Sequence, residues 1–309
     1  MKRPPLPTIP AGRVIVAAPA PPTEGVVSWN MNTTCNYRCS YCTQRFLDDR
    51  QRWATDTPAF LNAFGALPQS SGVPWEIKLS GGEPFLHPGF VDVVKGLADR
   101  DLLVSVVTNF SRDDDVIDAF VDAAGDHLRV VSCSLHLEFL PGEKLARFVE
   151  KAARTQKQLP SSSSLVVTCV ATQATMPLLL SLAEQFAAVG VRFKVQPEKQ
   201  DREIVSYDDA GKALLYRLGG HNGTGQIAHD FGGQPCWSGA RYFIVDDTGE
   251  AFRCYPARRY KVERLGNVVD GSFRLFEAAQ PCLYRTCHCT VPIARGMMPV
   301  DASIDRFED

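Results

Sequence analysis

From Val26 to Pro197 short β-branched runs alternate with longer amphipathic stretches. The runs are VVSWNM, EIKLS, LLVSVVTN, RVVSCSLH, LVVTCVAT and VRFKVQP; between them lie TPAFLNAFGAL, FVDVVKGLADR, DDDVIDAFVDAAG, GEKLARFVEKAART and MPLLLSLAEQFAAVG. Compact runs rich in Val suit buried strands, and the stretches between them carry the apolar period of helices. Six strands separated by five helices predict an α/β fold of βαβ units with a parallel sheet. Right-handed crossovers curl such a sheet with its helices outside. The helix ends agree. Ser111 ahead of Arg-Asp-Asp-Asp predicts an N-cap with acidic charge on the first turn, and Gly125 and Gly190 stand where helix C-termini favour a left-handed residue.

After Pro197 the rhythm breaks. LGGHNGTGQ has no hydrophobic period and predicts a loop, whereas RYFIVDDTGEAFRCYP predicts a hairpin turning at DDTG. Seven prolines within residues 1–24 predict an extended arm. The expected organisation is an arm over 1–25, a core over 26–200, a linker over 201–234 and a C-terminal unit over 235–309.

Composition narrows the function classes. The 309 residues are 45% hydrophobic and 22% charged, enough to bury a core. With 33 Lys plus Arg against 35 Asp plus Glu, the net charge of -2 gives no general pull toward polyanions and argues against a nucleic-acid partner. One local cationic set, Arg253, Arg258, Arg259, Lys261 and Arg264, reads either as an anion-binding surface or as a solvated hairpin face. No run reaches the ~20 apolar residues that span a bilayer, and Met1–Pro22 lacks the apolar centre of a secretory signal, so a cytoplasmic protein is expected. Ten cysteines in a reducing compartment point to metal or redox chemistry rather than to disulfides.

Cys133 and Cys169 sit inside apolar runs and are expected to be buried as small hydrophobes. The other eight lie in loop-like sequence. Cys35, Cys39 and Cys42 follow the first strand with C-x3-C-x2-C spacing. Three thiolates on one loop can hold three corners of a cubane iron–sulfur cluster and leave the fourth iron open. A structural zinc ion would want a fourth ligand, and none stands nearby. Later come Cys236 and Cys254, which the hairpin brings together, then Cys282, Cys287 and Cys289 in CLYRTCHC. A cluster or a zinc ribbon both suit these five. His288 between two of them is a further candidate ligand or a solvent-facing turn residue.

The first cysteine triad, Tyr41 before its last member, and Ser80-Gly81-Gly82-Glu83-Pro84 at the end of the second strand occur in the order found in the radical S-adenosylmethionine (radical SAM) enzymes. The chain resembles that family over roughly residues 26–200. The resemblance implies a partial (β/α)6 TIM-like barrel, a [4Fe–4S] cluster on Cys35, Cys39 and Cys42, and S-adenosylmethionine (SAM) chelated to its unique iron. It implies reductive cleavage of SAM to a 5′-deoxyadenosyl radical that takes a hydrogen atom from substrate. It also implies SAM contacts: Gly81 and Gly82 for close backbone approach, Glu83 toward the methionine ammonium, Asn109, Ser134 and His136 toward ribose and carboxylate, and Tyr41 near the adenine. The plainer reading is that Asn109, Ser134 and His136 only end strands and that Tyr41 only anchors the core. Gln196 and Glu198 at the sixth strand end are either adenine or substrate contacts or solvated side chains.

The C-terminal cysteines resemble the auxiliary-cluster extension of these enzymes, SPASM in its two-cluster form and twitch in its one-cluster form. The opening Cys236-x2-Gly239-x9-Gly249-x4-Cys254 matches, and the remainder departs from the full pattern. Two auxiliary clusters need about seven or eight thiolates. Five suit one auxiliary [4Fe–4S] cluster, held by Cys236, Cys254 and two or three of Cys282, Cys287 and Cys289. Four ligands would make it an electron relay, three a substrate-binding iron. The expected function is a radical SAM oxidoreductase acting on a small molecule, with an external electron donor such as flavodoxin or ferredoxin. The residues before Val26 are too few for the leader-recognition domain that peptide-modifying relatives often carry, so a peptide maturase is the alternative. A non-catalytic iron–sulfur electron carrier is the contrasting class.

Overall fold

The computed structural model describes residues 19–42, 52–200, 203–219, 230–287, 289 and 291–298; most of the Pro-rich arm and His288 lie outside the described residues. Six strands, β1 (Gly25–Asn32), β2 (Trp75–Gly81), β3 (Leu103–Thr108), β4 (Leu128–Leu135), β5 (Ser164–Ala171) and β6 (Arg192–Pro197), pair in chain order and all in parallel. The connections carry α1 (Thr57–Gly65), α2 (Leu67–Ser71), α3 (Phe90–Ala98), α4 (Asp114–Ala124), α5 (Glu143–Gln158) and α6 (Leu179–Ala188). The first expected helix is thus two, with Pro68 in the first turn of the second, a position that tolerates its missing N–H.

Side chains alternate along each strand, and the two faces of the sheet differ. Trp29 and Met31 of β1, Ile77 and Leu79 of β2, Val131 and Cys133 of β4, and Val167 and Cys169 of β5 pack into the helix-side core with Phe60, Phe64, Phe120, Phe148 and Phe186. Both lone cysteines are therefore buried hydrophobes, as expected. Most intervening positions are polar: Ser28 and Asn30, Lys78 and Ser80, Ser132 and Ser134, Thr168 and Gln196 line a cavity, joined by Val107 and Val170. A parallel sheet covered on both faces reads as near-continuous apolar sequence; polar alternation here marks a second face that borders open space.

Gly125 (φ 51°) and Gly190 (φ 71°) follow helix ends as expected. Ser111 is not an N-cap. Asp113 holds that position for α4 without a side-chain bond, and Ser111 Oγ instead accepts from Asn36 Nδ2 at 2.9 Å.

Beyond β6, β7 (Lys199–Gln200) and β8 (Glu203–Ile204) form a small antiparallel pair. The segment expected as linker contains α7 (Asp209–Gly219), whose Leu214, Leu215 and Leu218 pack on the core at helical spacing. Most of LGGHNGTGQ lies outside the described residues. Next come β9 (Pro235–Cys236), the expected hairpin of β10 (Tyr242–Val245) and β11 (Glu250–Phe252), then β12 (Arg264–Asn267) and β13 (Gln280–Pro281). Asp246 Oδ1 closes the hairpin turn by accepting from the Thr248 and Glu250 amides, and Gly249 supplies the positive φ. The hairpin joins the core sheet. Strand β10 runs parallel to β1, with Val26 opposite Tyr242 and Trp29 opposite Val245, giving the order β12-β11-β10-β1-β2-β3-β4-β5-β6. A short helix, Val291–Ala294, leads to Arg295, which pairs at 2.6 Å with the fully buried Glu76 of β2.

One close approach fixes the end of β2. Gly82 donates to the Asn32 carbonyl at 3.0 Å and Glu83 to the Thr34 carbonyl at 2.7 Å, and a Cβ on Gly82 would run into the Thr34 carbonyl. Gly82→Ala is expected to lower the unfolding free energy by about 1–3 kcal/mol in urea titrations; an unchanged midpoint would show that this approach relaxes freely.

Candidate functional site

The segment from Thr33 to Cys42 forms neither helix nor strand, so its shape is set by what it touches. Three strand ends hold it. The end of β2 binds it through the Gly82 and Glu83 amides and through Asn32 Nδ2, which donates to the Glu83 carbonyl at 2.8 Å. Beyond β3, Asn109 Nδ2 donates to Asn36 Oδ1 at 2.8 Å. Beyond β4, Glu138 Oε2 accepts from the Ser40 amide at 3.0 Å and Glu138 Oε1 from the Ser40 hydroxyl, while His136 Nδ1 lies 2.8 Å from the Tyr41 hydroxyl and 3.3 Å from Cys39 Sγ. Tyr37 stacks on Phe139 with ring centroids 4.2 Å apart.

Held this way, Cys35, Cys39 and Cys42 all face one cavity of about 380 Å³ at the carboxyl ends of the strands. Burial pushes the Cys39 thiol up to about 12 and also raises Cys35. Thiols so placed carry their charge only against a cation, which bound iron supplies. Three sulfur donors on one side and an open cavity on the other fit a cubane with one iron left for a small ligand.

The expected SAM contacts divide in two. Tyr41, Gly81, Gly82, Asn109, Ser134, His136 and Gln196 all line the cavity. Gly81 and Gly82 differ from expectation in one respect: the side on which a Cβ would stand is filled by Asn32 and Thr34, so the close approach they permit is to their own chain. Glu83 is fully buried and off the cavity wall. Its Oε1 accepts from the Thr108 hydroxyl at 2.7 Å and the Phe85 amide at 3.2 Å, and its Oε2 from the Asn109 amide at 2.6 Å. Burial outweighs those three donors and lifts its carboxyl to about 7. Glu198 is also off the wall, with Oε1 accepting from Gln200 at 2.8 Å. Desolvation lowers His136 to about 4, so the neutral ring can accept from the Tyr41 hydroxyl through Nδ1.

The C-terminal cysteines do not stay together. Cys236, Cys254, Cys282 and Cys287 line a small second pocket with Met298, whereas Cys289 lies on the wall of the main cavity. Burial raises the Cys254, Cys282 and Cys287 thiols, Cys282 to about 12. Among the described residues no group of three or more His, Cys, Asp or Glu side chains has the spacing of a single-ion site; thiolates around a cubane stand wider apart than those around one ion. The cationic set is also dispersed. Arg253 is buried, bonded to Glu263 and to the Ser238, Gln280 and Pro281 carbonyls, while Arg259 pairs with Glu203 and Arg264 with Glu250.

Sequence reasoning missed Tyr37, Asn30, Lys78, Lys199 and Tyr242 on the cavity wall. For Asn30 and Lys78 a signal existed: polar residues at alternate positions of β1 and β2.

Two outcomes test this geometry on the metal-free protein. Glu83→Gln turns an amide NH2 against either the Asn109 amide or the donors of Thr108 and Phe85, and is expected to cost about 1–3 kcal/mol in chemical denaturation. The His136 ring is harder to protonate folded than unfolded, so its contribution is complete above pH 6.5 and is lost as the pH falls toward about 4. His136→Gln should flatten the thermal-stability profile across that window; an imidazole resonance titrating near 6.5 would contradict its burial.

The sequence pattern of the Radical SAM superfamily matches residues 29–159. An S-adenosylmethionine-dependent nucleotide dehydratase of Psychrobacter lutiphocae is 33% identical over 100 residues, 29% of this chain and 34% of that protein. Among solved structures, Streptococcus suis SuiB bound to S-adenosylmethionine superposes with TM-score 0.59 and 14% identity over 80% of this chain and 64% of its own. The structure of anSMEcpe with bound AdoMet superposes with TM-score 0.55 and 16% identity over 81% of this chain and 78% of its own. Such identities speak for the fold alone, and the chain spans less than two thirds of the length of the dehydratase and of SuiB. Residues 29–159 thus match the radical SAM superfamily, and that match, with the dehydratase relative, supports an enzyme of the radical SAM type.

Proposed function

We propose that this protein is a radical SAM oxidoreductase whose active site is the cavity beneath Cys35, Cys39 and Cys42. The observation that carries this reading is the clasped three-cysteine loop, which presents three thiols to one side of a cavity large enough for a small ligand. A [4Fe–4S] cluster with SAM, when bound, supplies the reductive cleavage that generates the 5′-deoxyadenosyl radical. Asn109, His136 and Glu138 fix the loop that bears the thiols; Ser134 and Gln196 offer hydrogen-bonding groups to SAM from the strand ends. Glu83 acts at one remove, by fixing Thr108 and the Asn109 backbone on the cavity wall.

Cys236, Cys254, Cys282 and Cys287 are proposed to hold one auxiliary [4Fe–4S] cluster, the C-terminal unit being twitch-like. Four thiolates close such a cluster to substrate and suit it to accept the electron of a substrate radical, so the overall reaction is an oxidation. An external donor such as flavodoxin or ferredoxin provides the initiating electron. A small molecule is the favoured substrate because the cavity lies within the size range of small-ligand sites. SuiB has also been seen bound to its precursor peptide SuiA, which supports a peptide maturase as the second reading. A nucleic-acid substrate is disfavoured by the pairing of Arg253, Arg259 and Arg264 with carboxylates. Among the described residues no helix is long and apolar enough to cross a membrane.

Anaerobically reconstituted protein is expected to carry about eight irons per chain, as two cubanes require, and to form 5′-deoxyadenosine from SAM on reduction. Iron loading without that product would overturn the enzyme reading. Cys39→Ala should abolish cleavage while keeping about four irons at the C-terminal thiols; loss of all iron would show that the two sites are not independent.

A further inference from the structure

Arg253 follows β11, directly precedes Cys254 and is only 2% exposed. Its five N–H groups have acceptors for every one of them. Nε donates to the Ser238 carbonyl at 3.0 Å, Nη1 to the Pro281 carbonyl at 2.9 Å and to Glu263, and Nη2 to the Gln280 carbonyl at 2.6 Å and the Cys236 carbonyl at 3.4 Å. Two of these carbonyls belong to Cys236 and to the residue two positions beyond it. Two more belong to β13, which ends one position before Cys282. Strands β9 and β13 pair over only two residues each, so their own ladder holds them weakly. The guanidinium adds the missing ties, joining the chain segments that carry Cys236, Cys254 and Cys282.

The charge is oriented as well as buried. Arg253 lines the second pocket beside Cys236, Cys254, Cys282 and Cys287, whereas Glu263, its counter-ion, is not on that wall. Glu263 is held there by a second donor, the Tyr284 hydroxyl at 3.0 Å. The pair therefore turns its positive member toward the thiols. Four thiolates make a bound cubane strongly anionic, and each added electron makes it more so; a buried cation on the pocket wall favours that electron.

We propose that Arg253 is the positioning residue of the second thiol set: its fork holds the segments of Cys236, Cys254 and Cys282 together, and its charge raises the reduction potential of the cluster they bind with Cys287. The proposal rests on the reading of these thiols as an auxiliary-cluster site and adds the residue that sets how readily the cluster accepts an electron. A lysine in its place would keep the charge, but its compact ammonium cannot span five acceptors.

The test is a potentiometric titration of the full-length reconstituted protein followed by electron paramagnetic resonance, the second-set signal being the one that persists in Cys39→Ala. Arg253→Gln is expected to lower the equilibrium constant for reduction of that signal about tenfold or more, which is about 59 mV for a one-electron couple. Glu263→Gln, which keeps the guanidinium and its four carbonyl partners, should shift it in the opposite direction. Arg253→Lys should retain less iron than the wild type with a midpoint above that of Arg253→Gln. Midpoints that stay put or move the same way in the Arg253→Gln and Glu263→Gln proteins would overturn the proposal, and Glu263→Gln alone decides if Arg253→Gln takes up no iron at the second set. Alkylation of the metal-free proteins by iodoacetamide tests the fork without a cluster. Cys236 and Cys282 should react about tenfold faster or more in Arg253→Gln than in the wild type, with Cys133 and Cys169 protected in both; equal rates would overturn the proposal. Iron content separates the two claims. About four irons in the wild type, with alkylation still governed by Arg253, would overturn the auxiliary-cluster reading and sustain the fork; about eight irons with unmoved midpoints would do the reverse.

Discussion

Three thiols can share one cluster only if the loop that carries them keeps one shape, and residues 33–42 have no ladder of their own to impose it. Ordering such a segment costs on the order of 1–2 kcal/mol per residue in backbone entropy. The ends of β2, β3 and β4 offset that cost. The Gly82 and Glu83 amides fasten the first turn of the loop, Asn109 binds Asn36, and Glu138 binds Ser40. The tightest of these approaches, Gly82 against Thr34, exists because Gly82 has no side chain to prevent it.

The same strand ends owe their positions to a sheet with two unlike faces. Aromatic and branched side chains fill the helix side, while Ser, Thr, Asn, Gln and Lys take the alternate positions toward the cavity. Parallel pairing from β1 to β6 brings all six carboxyl ends to one rim, the place where α/β sheets bind ligands. The C-terminal hairpin extends the sheet beyond β1, which brings Tyr242 to the cavity, and the residues after it bring Cys289 there. The second thiol set is thereby tied to the framework that holds the first.

Much of this was legible in the chain. The strand and helix rhythm, the hairpin turn at DDTG, the buried Cys133 and Cys169, and the cavity-facing Cys35, Cys39 and Cys42 all follow from local pattern. What escaped was partner choice across long separations. That Asn109 would bind Asn36, or Glu138 bind Ser40, depends on which strand ends become neighbours, and no local motif encodes it. Glu83 has the chemistry to meet an ammonium ion, but the Thr108 hydroxyl at the end of β3 and the Asn109 and Phe85 amides engage its oxygens. The five C-terminal cysteines look equivalent in sequence; Cys289 lies with Val291 on the cavity wall, whereas the other four line the second pocket. Helix α7 is hard to read in the sequence although Leu214, Leu215 and Leu218 have helical spacing, because the glycines that follow dominate the passage.

The central claim is that the clasped loop leaves one iron of its cluster open to SAM. Electron paramagnetic resonance of the reduced, reconstituted protein tests it most directly, with spectra recorded before and after adding SAM. The account predicts a cluster signal that changes on SAM addition and is missing from Cys35→Ala. A spectrum indifferent to SAM, from protein in which the signal of the first cysteine set is present, would contradict it.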